Sequence, residues 1–237
     1  MTPALIWSYL SQEPLLWLTA TLIAYWLGDR FFQAMSRQSW ANPVLAAVIL
    51  LSLVLWATGT DYRTYFQGAQ FVHFMLGPAT VALGMPLYDN LHRVRRAALP
   101  LVAALLAGSV TAVVSVLAIG KALGLGPVML ASLAPKSTTA PVAIGISERL
   151  GGEPTITAVL VLLTGIFGAI IGTPLLNALR LRDWRARGLA VGIAAHGIGT
   201  ARAFQVNETA GAFASIGMGL NAVLTAIIAP LILRLFQ

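Results

Sequence analysis

Residues 133–145, LAPKSTTAPVAIG, place a lysine, three consecutive hydroxyl residues and two prolines within a strongly apolar part of the chain. Proline removes a backbone donor from a helix, and an ionisable side chain at membrane depth costs roughly 2.5–3.5 kcal/mol on insertion scales. Non-helical backbone is tolerated at that depth only where protein or a water-filled cavity surrounds it. The stretch predicts a re-entrant or broken element with a functional role; a kinked but continuous helix is the alternative.

Composition indicates an integral membrane protein. The 237 residues are 58% hydrophobic and 10% charged, whereas soluble domains usually carry about 25% charged residues. The formal charge of +7 falls in short clusters between apolar runs, as in cytoplasmic loops, so we expect no nucleic-acid partner. Cysteine is absent, the three histidines are scattered and no HExxH, GxSxG or P-loop motif occurs. We therefore expect neither an enzyme with catalytic residues nor a metal site or cofactor.

Hydropathy predicts both crossing helices and two irregular elements. A crossing takes about 20 apolar residues. The two irregular stretches, 125–147 and 189–207, contain prolines, glycines and charges. Basic clusters at 91–97 and 180–187 should both face the cytoplasm. Between them, two crossings return the chain to the same side and three do not, which favours 125–147 as a re-entrant element. The six candidate crossings are 4–28, 42–59, 69–88, 97–120, 155–179 and 211–233.

A weak internal repeat relates the two irregular elements. A shift of about sixty residues places Lys136–Gly152 near His196–Ala212, with Thr139 on Thr200. Each unit is a broken element, a short acidic loop and one long apolar helix. Because such a unit crosses an odd number of times, the two copies should form an inverted repeat whose tips meet near the midplane.

These features predict an all-α, multi-pass membrane transporter with about six crossings and two re-entrant or broken helices. We expect a single membrane domain over 1–237, with 1–122 largely a scaffold and 123–237 the substrate-binding repeat units.

The first broken element is a candidate anion site. Hydroxyl groups, free N–H groups at a half-helix start and one ammonium together suit an anion. The alternative for the lysine is snorkelling to the interface. The candidate residues are Lys136, Ser137, Thr138 and Thr139.

The second broken element repeats this logic. Arg202 offers a planar fork to a carboxylate or phosphate, although it could instead extend the cytoplasmic cluster. Gly197 and Gly199 would let backbone approach a ligand, and Thr200 could cap or contact it. His196 could couple protons or simply pack two helices.

Three further polar residues are weaker candidates. Glu148 and Glu208 follow the broken elements and could couple protons, but they also fit ordinary loop acids. Asn221 lies in an apolar helix between small residues, where it could bind substrate or bond across a helix contact.

The motifs PKSTTAPVAIGISERLGG, LTGIFGAIIG, AHGIGTARAF and MGLNAVLTAIIAP resemble the LrgB/CidB membrane-protein family through most of the chain. Bacterial members of that family are paired with a small LrgA/CidA-type membrane partner and are called holin- or antiholin-like regulators of murein hydrolases and autolysis. The plant chloroplast glycolate/glycerate transporter contains a similar domain. The motifs of the LrgB/CidB family fall on Pro135, Lys136, Ser137, Thr138, Thr139, Pro141, Glu148, His196, Gly197, Gly199, Thr200, Arg202 and Asn221.

The resemblance implies a secondary transporter for small monocarboxylates of the glycolate, glycerate, pyruvate or lactate type. It would be a multi-pass protein of the bacterial inner membrane, in contact with the lipid bilayer, and a homodimer. A holin- or antiholin-like pore, or a regulator of murein hydrolase activity, is the alternative. A pore needs a continuous polar face, whereas polarity here is concentrated at two elements, which favours the carrier.

Overall fold

The computed structural model describes residues 13–82 and 98–236, which form helices and connecting turns without any strand. The chain divides into two compact units with the boundary between residues 79 and 80. The helices are α1 (Pro14–Ala34), α2 (Pro43–Thr58), α3 (Tyr62–Phe74), α4 (Leu76–Ala82), α5 (Ala98–Ala122), α6 (Pro127–Leu133), α7 (Ala140–Arg149), α8 (Pro154–Ala178), α9 (Trp184–Val206) and α10 (Glu208–Leu233).

The first unit is held by packing of α1 against α2 and α3. Trp17 is buried and meets the Tyr65 ring edge-on, with ring centroids 5.8 Å apart. Gly68 lies directly against α1, where a larger side chain would collide with the Pro14 carbonyl oxygen. Asn42 caps α2 by accepting hydrogen bonds from two backbone N–H groups. Proline at the first helical position and a polar cap therefore define where α2 begins.

Three described helices are long and apolar enough to cross a membrane: α5, α8 and α10. They confirm the predicted spans 97–120, 155–179 and 211–233 to within three residues at either end. The shorter apolar helix α2 corresponds to the predicted span 42–59.

Two predicted spans have different bounds. For the predicted span 4–28, residues 1–12 lie outside the described part, and α1 continues to residue 34. For the predicted span 69–88, residues 69–74 belong to α3, which begins at residue 62 because Asp61 caps it. A separate helix, α4, follows after Met75, and residues 83–88 lie outside the described part.

In the second unit, α5 and α10 run in the same direction. Ser109 and Asn221, each near the middle of its helix, share a hydrogen bond of 2.6 Å. At the ends of these helices, Lys121 Nζ donates to the Phe236 carbonyl oxygen at 2.6 Å. The end where α5 and α10 begin also carries Arg180, Arg182 and Arg185, and we call it the arginine end; the other is the opposite end.

Helices α6 and α7 form a reversal, hairpin 1 (residues 127–149), that starts and finishes at the opposite end. Thr157, in the first turn of α8, lies 3.2 Å from the Ser132 carbonyl oxygen and 2.7 Å from Ser147 Oγ. Ser132 Oγ also accepts from the Glu153 backbone N–H at 2.7 Å. Both limbs of the hairpin therefore return to the start of α8, and the turn at residues 134–139 is its tip.

The predicted break within 189–207 is present inside α9. Ala195 has φ −128° and ψ 15°, and His196 has φ 41° and ψ −136°. A positive φ at a residue other than glycine costs of order 1–3 kcal/mol and persists only where surrounding contacts impose it. The break divides α9 into two limbs, residues 184–194 and 197–206, which we call hairpin 2.

Contacts between its limbs show that hairpin 2 folds back on itself. A side chain at Gly199 would stand 3.2 Å from the Val191 carbonyl oxygen, although eight residues of straight helix would separate these positions by about 12 Å. The first limb runs parallel to α10, since Gly188 faces Ala210 and Gly192 faces Ala214.

The second limb of hairpin 2 runs antiparallel to α10. The Phe204 ring lies on Gly211, and Thr200 Oγ1 lies 3.9 Å from Met218 Sδ. Hairpin 2 therefore enters and leaves at the arginine end.

Hairpin 2 packs closely against α10 because glycine residues at the contact have no side chain. A Cβ atom at Gly192 would overlap the Ala214 carbonyl oxygen. We expect Gly192→Ala to lower stability by about 1–3 kcal/mol because backbone must move to admit the methyl group. Thermal unfolding of the purified protein in detergent measures the effect.

Gly219→Ala is the matched control. Gly219 lies in α10, and no packed neighbour in the described part of the chain comes within 4 Å of the added atom. The better helix propensity of alanine should therefore leave the midpoint unchanged or raised. Equal midpoints for both variants would contradict the close-packing argument.

Candidate functional site

Asn221 joins the tips of both hairpins to two long helices. Its side chain is 1% exposed. The Nδ2 group donates to the Ser137 carbonyl oxygen at 3.0 Å and to the Ile193 carbonyl oxygen at 3.2 Å. The Oδ1 atom accepts from Ser109 at 2.6 Å and from Thr225 at 3.2 Å. Every donor and acceptor position of this amide is therefore used by the protein itself.

A cavity of about 840 Å³ leads from the arginine end to these tips. Its walls are one face of α5, the first limb of hairpin 2 and the tip of hairpin 1. Pro100 and Arg185 line it at the arginine end, whereas Gly108 and Ile193 line it at mid-helix depth. Most of the surface is alanine, leucine, proline and glycine, and its polar residues are Thr111, Lys136, Ser137, Asp183 and Arg185.

Beyond the tips, a buried apolar cluster fills the space towards the opposite end. Val113 and Leu117 of α5 pack there against Leu130 of hairpin 1 and Leu233 of α10. These side chains are at most 3% exposed. The cavity is thus continuous with one end of the second unit and is closed by side chains on the way to the other.

Lys136 lines the inner end of the cavity. The side chain is partly buried, and Nζ lies 3.4 Å from Ser137 Oγ. Within residues 13–82 and 98–236, no carboxylate lies within 4.0 Å of this ammonium. Such a charge lacks the paired environment that usually stabilises an ionised group away from water.

The three hydroxyl residues after Lys136 have different roles. Ser137 contributes its carbonyl oxygen to Asn221. Thr138 is fully buried and donates to the Pro135 carbonyl oxygen at 3.0 Å, which tightens the tip. Thr139 directly precedes α7 but does not cap it through its side chain, and its buried Oγ1 has no hydrogen-bond partner among the described residues.

The residues predicted at the second element mainly hold its tip together. His196 is buried, with Nε2 2.9 Å from the Val161 carbonyl oxygen and its ring against Gly165. Thr200 donates back to the His196 carbonyl oxygen at 2.7 Å. Gly197 follows the break, and Gly199 lies against the first limb. These contacts support the packing alternative for His196.

Arg202 lies away from Lys136. It borders a much smaller cavity with Arg187 and Thr173, on the side of hairpin 2 that faces α8. Arg187 there donates to the Leu181 carbonyl oxygen and to Asn177, and it stacks on the Trp184 ring. The two candidate cations therefore line different cavities.

The candidate coupling acids are outside the core. Glu148 is exposed at the end of α7 and Glu208 is exposed in the first turn of α10. Among the described residues, no cluster of three His, Asp or Glu side chains is present that could bind a metal ion.

Several residues of the site carry no signal in the sequence. Ser109 and Thr111 lie in an uninterrupted apolar helix, and Ser132 and Thr157 are separated from their partners along the chain. Gly165, in the motif LTGIFGAIIG, makes room for the His196 ring. Only the pairing of helices could reveal these roles.

Curated relatives match the chain over almost its whole length. The holin-like protein CidB of Staphylococcus epidermidis is 33% identical over 224 residues, covering 94% of this chain and 97% of that protein. YxaC of Bacillus subtilis is 38% identical over 195 residues, with 82% and 85% covered. YwbG of the same organism is 34% identical over 213 residues, with 90% and 94% covered. No solved structure matches the chain.

The predicted transport of small monocarboxylates is wrong, because full-length relatives, including CidB of Staphylococcus aureus, are named holin-like proteins. The geometry gives a physical reason. Lys136 and Arg202 do not converge on one cavity, and the Asn221 amide is saturated by protein groups. A carboxylate would therefore meet one cation in a largely apolar cavity.

The sequence model of the LrgB-like family matches residues 21–235, which include both hairpins and all three long apolar helices. Together with relatives above 30% identity that cover most of the chain, this match establishes that the protein belongs to the LrgB-like family of membrane proteins.

Proposed function

We propose that this chain is a holin-like protein of the bacterial cytoplasmic membrane. It would open a controlled leak for small solutes and thereby regulate murein hydrolase activity and autolysis. The cavity that runs from the arginine end to the hairpin tips carries the proposal, because its lining follows α5 from Pro100 to Ala112, about the first half of that helix. The names of the CidB relatives support the same reading.

In this proposal the described conformation is the closed one. The apolar cluster beyond the tips would block the passage of ions, since an apolar constriction excludes water. Asn221 would act as a latch because one amide binds both tips. Parting of hairpin 1 from hairpin 2 would connect the cavity with the opposite end.

The finer architecture is also a proposal: an inverted repeat of hairpin 1 with α8 and hairpin 2 with α10. Two observations support it. Hairpin 1 returns to the start of α8 at the opposite end, whereas hairpin 2 returns to the start of α10 at the arginine end. About six crossings would result if α1, α2 and the region around 69–88 also span the bilayer.

The remaining assignments rest on the family resemblance. We include a homodimer and a small LrgA/CidA-type membrane partner in the proposal, with the arginine end in the cytoplasm. The division into a scaffold (1–122) and repeat units (123–237) is carried forward as well, although α5 lies in the same compact unit as both hairpins.

The leak is tested with the purified chain in liposomes. We expect release of small entrapped ions, and we expect Asn221→Ala to raise the release rate about tenfold. The variant leaves two carbonyl oxygens and two hydroxyl groups without their partner in the closed state, and each such group costs about 1–3 kcal/mol. Expression in a bacterial host should also dissipate the membrane potential and accelerate autolysis.

Val223→Ala is the matched control, because Val223 is 64% exposed on the same helix. Size-exclusion chromatography establishes that both variants fold. A wild-type chain that neither leaks nor changes autolysis would contradict the proposed function. A folded Asn221→Ala variant with wild-type release would contradict the latch.

The repeat is tested by labelling single cysteines, which the cysteine-free chain allows. We expect cysteines at positions 124 and 152 to react from one side of the membrane and a cysteine at position 185 from the other. Opposite accessibility of 124 and 152 would show that residues between them cross the bilayer, and the re-entrant assignment would fail.

A further inference from the structure

The second unit separates its charges by depth. In residues 98–236 the four carboxylates, Glu148, Glu153, Asp183 and Glu208, are all exposed in loops or at helix ends. Every buried or partly buried ionisable group there can carry positive charge; these groups are Lys136, Arg187, His196 and Arg202. The described interior of this unit is therefore positive in sign.

At the mouth of the cavity the two charged residues that line it, Asp183 and Arg185, form an ion pair. Arg185 binds Asp183 with two nitrogens, the shorter contact being 2.7 Å. These hydrogen bonds lower the pKa of Asp183 to about 2, so the carboxylate stays ionised at physiological pH. The next charged residue along the cavity wall is Lys136.

Lys136 sets the potential of the inner cavity because its neighbours do not neutralise it. Its described polar contact is the neutral Ser137 hydroxyl, and the surrounding walls are apolar. Walls of low dielectric focus the field of a fixed charge and concentrate ions of the opposite sign. A cation held in this way requires a counterion that comes from solution.

We propose that the cavity is a vestibule for small inorganic anions of the chloride class, and that Lys136 makes the leak anion-selective. This inference rests on the proposed function for the leak itself. Cationic side chains at constrictions select anions in other channels by the same electrostatics. The arginines that line the smaller cavity take no part in this path.

The charge of the vestibule can be measured without any leak. Thr111 is exposed and lines the cavity, so a single cysteine there should react with small thiol reagents. We expect an anionic methanethiosulfonate to react on the order of tenfold faster than a cationic one, relative to their rates with free thiol. Lys136→Gln should remove the difference. Equal relative rates for the anionic and the cationic reagent with Lys136 present, or no reaction at all, would overturn the proposal of an anion vestibule.

Selectivity is measured in planar bilayers across a KCl gradient. We expect the wild-type reversal potential to lie close to the equilibrium potential of chloride, with chloride on the order of tenfold more permeant than potassium. Lys136→Gln should abolish the preference, Lys136→Glu should invert it, and Lys136→Arg should keep it. Lys121→Gln is the matched control, because Lys121 is exposed and binds the Phe236 carbonyl oxygen at the far end of α5.

The outcomes separate the two proposals. A wild-type leak without preference, or with preference for potassium, would overturn the anion vestibule and leave the holin-like function standing. An unchanged ratio in conducting Lys136→Gln would overturn the role of Lys136. Absence of any wild-type conductance would overturn the proposed function, while the thiol reactivity at position 111 would still report on the vestibule.

Discussion

The second unit depends on one amide. Two helical hairpins enter it from different ends, and the tip of each presents backbone carbonyl groups that no regular helix satisfies. Asn221 donates to both tips and accepts from α5 and from its own helix. A buried polar group without a hydrogen-bond partner costs about 1–3 kcal/mol, so this side chain makes both breaks tolerable at once. The cavity, the close helix contacts and the position of Lys136 follow from where the tips are held.

Much of this architecture could be predicted from local sequence signals. Prolines and a lysine mark the turn at 134–139, and the three long helices are continuous apolar segments of the required length. The second break was also expected, but its position at Ala195 and His196 was not. The nearby glycines, Gly197 and Gly199, are helical, and the strained residue is the histidine, because contacts with α8 impose it.

The roles of single residues were harder to predict because they depend on helix pairing. Arg202 follows the tip by six residues on a returning limb, which carries its side chain to the face that meets α8. Thr138 and Thr200 satisfy carbonyl groups within their own tips. Thr138 and Thr200 are therefore part of the scaffold of the two breaks. Lys136 differs because it faces open space.

The hydrogen bonds of Asn221 also constrain how the chain is assembled in the membrane. Hairpin 1 emerges from the ribosome well before α10, yet the carbonyl group of Ser137 has its partner on that last helix. Hairpin 2 likewise has its closest packing surface on α10. Until α10 is present, the backbone carbonyl groups of Ser137 and Ile193 lack the side-chain donor that they have in the folded chain. The hydrogen bonds from Asn221 to both tips can therefore form only after the C-terminal helix has been synthesised.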